Sequence, residues 1–132
     1  MRADRGTAML VYVSLRCLIV DDSPRFSEEA RRLLEHEGMA VVGIAASGDD
    51  AVRLVKALRP DLALVDVSLG DESGFDVARR LVEGSDGKPP AVIFVSTHDE
   101  RDFRARIEAS VGLGFIDKKK LSPERIRHLL GD

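Results

Sequence analysis

The 132-residue chain is 44% hydrophobic and 33% charged, which suits one soluble globular core, is too short for two ordinary domains, and fits neither a disordered nor a membrane-embedded class. A net charge of −3 argues against nucleic acid as the main partner, because a binder of phosphate backbone usually carries a basic balance. The single Cys17 excludes an internal disulfide and is expected to pack as a small hydrophobe in a reducing compartment.

Residues 1–15 read as an N-terminal extension whose order the sequence leaves open. Met9 to Val13 is apolar and follows Arg2 and Arg5, but Ser14 and Arg16 interrupt it and no small-residue cleavage site follows, so it is not read as a signal peptide. No other apolar run has the length needed to span a membrane. The first strand is Leu18-Ile19-Val20, closing on Asp21-Asp22. Ser23-Pro24 then offers an N-cap with proline at the first helical position, and Phe26, Ala30, Leu33 and Leu34 recur at helical spacing as far as the stop signal of Gly38. Met39 to Ala45 reads as strand two. Ser47-Gly48 opens helix two, with Ala51, Val52, Leu54, Val55 and Leu58 as its apolar stripe and Pro60 as its end.

Asp61 to Val67 is strand three. The loop Ser68 to Glu72 leads to Ser73, which caps a third helix running to about Glu83, and Gly84 to Pro90 is a loop. Ala91 to Ser96 is strand four, Asp99 to Ser110 a weaker, highly charged fourth helix, and Leu113 to Lys118 strand five. Ser122-Pro123-Glu124 repeats the cap-plus-proline device before a last helix with Ile126, Leu129 and Leu130 facing inward. Such alternation implies an α/β, flavodoxin-like, doubly wound five-stranded parallel sheet of order 2-1-3-4-5 with helices on both faces.

Parallel strands bring their carboxyl ends to one edge, where open α/β sheets bind ligands. Asp21, Asp22, Asp66, Ser96 and Lys118 all fall there. An acidic pair after a strand is by itself usually a turn or helix cap, and Lys118-Lys119-Lys120 by itself a solvated charge run. Four strand ends placing complementary groups on one edge is a different matter. Three carboxylates in close quarters repel one another, and a divalent cation removes that conflict. Magnesium takes oxygen ligands and keeps several waters, so Asp21, Asp22 and Asp66, with a backbone carbonyl such as that of Ser68, suffice to hold Mg2+; no Cys or His cluster favours zinc or copper. A carboxylate can also attack phosphorus, and Asp66, ending the central strand before a loop with Gly70 and Gly74, is best placed to be the acceptor. Ser96 would donate a hydrogen bond to one phosphoryl oxygen and Lys118 would bring a positive charge to another.

With these residues in hand, the chain resembles the receiver domain of two-component response regulators over about Arg16 to Leu130, and the domain is assigned to residues 16–132. The resemblance rests on the acidic pair Asp21-Asp22, the stretch Asp66-Val67-Ser68-Leu69-Gly70-Asp71-Glu72-Ser73-Gly74, the hydroxyl of Ser96, and Gly114-Phe115-Ile116-Asp117-Lys118. It implies a Mg2+-dependent cytoplasmic phosphoacceptor rather than an enzyme, with self-catalysed phosphorylation and dephosphorylation. A sensor histidine kinase or a histidine phosphotransfer protein would be the donor to Asp66. It also implies that Ser96 and Phe115 act as a switch reshaping the face of helix four, strand five and helix five. That face would meet a downstream protein target or output domain, or a second copy in a homodimer, with no nucleic acid or membrane bound by this domain itself. The chain departs from the family's common pattern at Gly70, where proline is frequent, at Thr97, where Ala or Gly is usual, and at Lys119, where proline is common; the last removes the expectation of a cis peptide. Ser68 and His98 lie beside the site as candidates for tuning hydrolysis.

A stand-alone receiver is the leading expectation. The alternatives are a receiver fragment of a DNA-binding transcription regulator and a non-phosphorylated receiver-like interaction module. A magnesium-dependent phosphatase with an Asp nucleophile is disfavoured because Ser68 stands where its acid/base Asp would be. A flavin-binding module is disfavoured because Asp21-Asp22 would repel the cofactor's phosphate.

Overall fold

Alternating residues of the strands feed two separate cores, one on each face of a parallel sheet. The computed structural model describes residues 15–131; the N-terminal extension expected at 1–15 lies outside these residues except for Leu15. In chain order the elements are β1 (Arg16–Val20), α1 (Pro24–His36), β2 (Ala40–Ala45), α2 (Gly48–Leu58), β3 (Leu62–Asp66), α3 (Gly74–Glu83), β4 (Ala91–Ser96), α4 (Arg104–Glu108), β5 (Gly114–Asp117) and α5 (Pro123–Leu129). The strands pair in parallel in the order β2-β1-β3-β4-β5, the predicted flavodoxin-like arrangement.

Leu18, Val20, Ala63, Val65, Val92 and Phe94 pack with residues of α2 and α3, while Cys17, Ile19, Leu62, Leu64, Ile93 and Val95 pack with α1 and α5. β1, β3 and β4 are therefore buried on both faces and read as continuous apolar runs. Helix starts follow the expected chemistry. The side chains of Ser23, Ser47, Ser73 and Ser122 accept the amides of Phe26, Asp50, Phe75 and Arg125, and Pro24 and Pro123 occupy the first helical turn.

Two segments differ from the sequence reading. The expected helix over Asp99–Ser110 is broken into a 3-10 turn, Glu100–Asp102, and the five-residue α4, with Phe103 between them. Asp99 caps the 3-10 turn by accepting the Arg101 amide, so the first three residues close a tighter turn than a helix needs. No residue of α4 is fully buried, so there is little apolar pressure to extend it. The loop after Asp66 also contains a small antiparallel hairpin, Ser68–Leu69 against Glu72–Ser73.

Candidate functional site

Strand parity gathers the carboxylates and the ammonium. Ile19, Leu64 and Ile116 all face the α1/α5 side, and residues two further along each strand are Asp21, Asp66 and Lys118. The Asp21 amide donates to Ala45 O at 2.9 Å, which carries the β1–β2 ladder one residue beyond the strand. Asp21 and Asp66 are 2% and 7% exposed, a degree of burial that carboxylates rarely reach unless paired.

The pairing is supplied by Lys118. Its Nζ lies 2.6 Å from Asp21 Oδ2 and 3.2 Å from Asp66 Oδ2, and sits 4.4 Å above the Phe26 ring of α1. The remaining carboxylate oxygens organise the backbone. Ser23 N–H donates to Asp21 Oδ1 at 2.8 Å, fixing the turn into α1, and Ser68 N–H donates to Asp66 Oδ1 at 3.1 Å, fixing the chain just after β3. Burial, and then the neighbouring Asp21 carboxylate, push the Asp66 pKa above the ordinary aspartate value; Lys118 and the Ser68 amide offset part of that.

Asp22 is exposed at the rim, and one oxygen of each of Asp21, Asp22 and Asp66 lies within 4.8 Å of the others. Asp21 Oδ2 is buried and, despite its ion pair with Lys118, has no hydrogen bond of acceptable geometry. Three carboxylates converging in this way, more negative charge than the one Lys118 ammonium offsets, fit a hard divalent cation with oxygen ligands. The three carboxylates expected to hold a metal are thus brought together. The chain at Ser68 is tied to Asp66 through its amide.

Ser96 is 2% exposed at the end of β4, and its hydroxyl is occupied by its own turn. It accepts the His98 amide at 2.9 Å and lies 3.5 Å from His98 Nδ1. Phe115 is half-buried and packs on Phe103, ring centroids 6.3 Å apart, placing it on the α4 side of the sheet rather than beside the carboxylates. Thr97 and Lys119 are exposed, and the peptide bonds of the described residues are all trans. Sequence reasoning read Phe26 only as part of the apolar stripe of α1 and missed its place under the Lys118 ammonium, a long-range contact with no local signal.

Gly74 explains how the loop comes so close. A Cβ there would collide with the Asp66 carbonyl oxygen, and the Gly74 amide donates to Val67 O at 2.7 Å, so α3 starts directly against the backbone of the candidate acceptor.

Known proteins resemble this chain in sequence and in fold. The positive alginate biosynthesis regulatory protein of Pseudomonas aeruginosa is 39% identical over 100 residues, covering 74% of this chain and 40% of that protein. A protein-glutamate methylesterase/protein-glutamine glutaminase of Syntrophus aciditrophicus is 37% identical over 113 residues, covering 82% of this chain and 31% of that protein. This chain therefore spans well under half the length of these relatives. Among solved structures, a two-component response regulator of the LuxR family from Aurantimonas superposes with a TM-score of 0.76 at 26% identity, covering 89% of this chain and 86% of the other. Because the model of the response regulator receiver domain matches residues 17–130, nearly the whole of the sheet and its helices, the chain belongs to the response regulator receiver family.

Proposed function

We propose that Asp66 is the phosphoacceptor of a two-component pathway, within a receiver domain at residues 16–132 that follows an extension at 1–15. The observation that carries this reading is the Lys118 ammonium bridging two buried carboxylates beside a third. That arrangement sets a cation against a buried aspartate, offsetting part of the burial that disfavours its charge, and positions the cation for incoming phosphoryl oxygens.

The donor is a phosphohistidine on a sensor kinase or a histidine phosphotransfer protein. An Asp66 carboxylate oxygen forms the new O–P bond as the P–N bond to the donor imidazole breaks, and the imidazole nitrogen leaves with the electron pair. Asp21, Asp22, Asp66 and the Ser68 carbonyl would hold Mg2+, which when bound would supply positive charge to the transferring group. Lys118 exchanges its Asp66 contact for a phosphoryl oxygen while retaining Asp21. Ser96 gives up its turn contact with His98 and donates its hydroxyl to another oxygen.

Withdrawal of Ser96 frees space for Phe115, which turns inward and reshapes the face of α4, β5 and α5. A groove of about 670 Å3 lined by Phe115, Ile116, Ser122, Arg125, His128 and Leu129 lies on that face and suits a protein target, an output domain or a second copy. Glu124 and Arg127 also line it beside Arg125, and such mixed charge favours reversible association. No helix among the described residues is long and apolar enough to cross a membrane.

The test is intact-mass analysis after incubation with acetyl phosphate, in Mg2+ and in EDTA, for the wild type and Asp66→Ala. One phosphoryl group that requires Mg2+ and is lost in the variant is expected. Absence of the adduct, together with failure to bind beryllofluoride, would make the chain a non-phosphorylated interaction module.

A further inference from the structure

The hairpin that leaves Asp66 is anchored at a distance from the acid cluster. Its tip, Gly70, has a φ of +60° and lies over Asp22; a Cβ there would be 3.7 Å from Asp22 Oδ2. Glycine at a left-handed tip adds backbone freedom, so the position of the hairpin has to be set by its strands. Two residue pairs, Ser68 with Ser73 and Leu69 with Glu72, cannot hold a free hairpin in water.

Leu69, buried in the core under α2 and α3, holds the first strand of the hairpin, and Glu72 supplies a polar anchor for the second. Its Oε2 accepts the amide of Gly48 at 2.9 Å, the first residue of α2 and 24 positions away in sequence. Its Oε1 lies 3.7 Å from Arg80 Nη1, and Arg80 Nη2 donates to Asp49 Oδ1 at 2.8 Å. A carboxylate at a helix N-terminus meets an amide without an intrahelical partner and the positive end of the helix dipole. The slot is shaped for it. A Cβ on Gly48 would collide with Glu72 Oε1 and come within 2.9 Å of Arg80 Nη1 and 3.0 Å of Val77 Cγ2. The exposed Arg80 pairs add little by themselves, because water and salt screen them; the part-buried bond to the Gly48 amide is the firmer contact.

We propose that Glu72 is a positioning residue for the metal-binding edge: clasped to α2, it holds the hairpin so that Ser68 and Gly70 stay beside Asp66 and Asp22. This rests on the reading that the three carboxylates hold Mg2+. The preference for a bound loop is set before the ion arrives, so loss of the clasp charges the ordering cost of the hairpin to metal binding.

The experiment is a Mg2+ titration of the full chain, 15N-labelled, following the Asp22 and Ser68 amides, with a urea unfolding curve for each variant. Glu72→Ala and Gly48→Ala attack the contact from opposite sides, and each is expected to weaken Mg2+ binding roughly three- to tenfold, the scale of a charge-assisted hydrogen bond partly replaced by water. Glu72→Gln keeps an acceptor oxygen for the Gly48 amide and is expected to recover most of the affinity. Lower urea midpoints with an unchanged Mg2+ affinity would overturn the proposal, since a purely structural contact would behave that way. If the wild type itself shows no Mg2+ response, the metal reading fails instead, and the clasp is decided by amide exchange of Ser68. Faster exchange in Glu72→Ala than in wild type would uphold the positioning role, and equal rates would overturn it.

Discussion

Replacing Lys118 by methionine should show how much of the acid cluster depends on a single cation. The Lys118 Nζ is 2.6 Å from Asp21 Oδ2 and 3.2 Å from Asp66 Oδ2, with the carboxylate side chains 0% and 11% exposed. At an effective dielectric of about 20, each contact is worth roughly 5–6 kcal/mol of attraction. Desolvation of three charges offsets most of that, and the quantity a substitution reads is the penalty of leaving two buried carboxylates facing each other, about 3 kcal/mol at neutral pH without metal. Methionine preserves the length of the stem and removes only the charge and its contact with the Phe26 ring. Urea unfolding in EDTA should therefore place the midpoint of the variant well below that of the wild type, and Mg2+ should recover a larger share of stability in the variant, because the ion takes over the neutralising role. Adding Asp66→Asn should shrink the cost of Lys118→Met by about 1 kcal/mol or more, the coupling expected of charges in direct contact. Equal midpoints in EDTA, or a cost that ignores Asp66→Asn, would refute the assignment of Lys118 as counter-charge to the pair.

The sign of the Asp66 shift fixes a pH dependence. Its folded pKa is raised, by burial and then by Asp21, so its contribution to stability is complete below the ordinary value of 3.8 and is lost as pH rises through the folded value. The metal-free wild type should lose stability over that window relative to Asp66→Asn, and parallel pH profiles of the two in urea unfolding would contradict this. Burial pushes the Cys17 thiol to about 12, so it should resist disulfide reagents in the folded protein and react fully in urea, while stability declines between pH 9.0 and about 12 as the unfolded thiol ionises. Fast labelling of the native protein would show that β1 opens. Gly74→Ala sets a Cβ against the Asp66 carbonyl, backbone against backbone with no flexible atom to yield, and should cost about 3 kcal/mol or more in thermal or urea unfolding. A near-neutral result would mean that α3 can shift away from Asp66.

The carboxyl-edge constellation was legible because buried parallel strands announce themselves as apolar runs and end at a common edge. Asp21, Asp66, Ser96 and Lys118 each follow or close such a run, and no side-chain geometry is needed to bring them to one place. The helix starts were legible for a local reason, a serine with a proline or an amide three residues on. The fourth helix was not. Asp99 to Ser110 is charged and carries a helical composition, yet the Asp99 cap closes a 3-10 turn first and Phe103, between that turn and α4, packs with Phe75 and Phe115, contacts that composition and periodicity do not reveal. Glu72 was hidden for a similar reason. In sequence it is one more acid in a polar loop, and its partner is an amide 24 residues upstream, exposed as a partner only by the missing Cβ of Gly48.

The consequence of that break bears on how a change at Asp66 reaches the α4 face. Phe94, Phe75, Phe103 and Phe115 form a row with successive centroids 4.6, 6.3 and 6.3 Å apart, and His98 meets Phe103 edge-on at 6.1 Å. Phe75 directly follows Gly74, which lies against the Asp66 backbone. α4 has no side-chain cap and no fully buried residue, so its place depends on Phe103 and on Arg106, whose guanidinium sits 4.6 Å over the Phe75 ring and donates to Ser73 Oγ at 3.2 Å. Both anchors lead back to the loop leaving Asp66. Such a helix belongs to the low-stability end of a fold and can move while the sheet stays intact. Phe103→Ala should therefore raise amide exchange across residues 104–108 by roughly tenfold or more, the effect of losing about 1.5 kcal/mol of ring packing, while the amides of β3 and β4 exchange as before. If exchange rises equally in the sheet, Phe103 is an ordinary core residue and α4 is not an independently movable element; if it rises in neither, the helix is held by contacts other than the aromatic row.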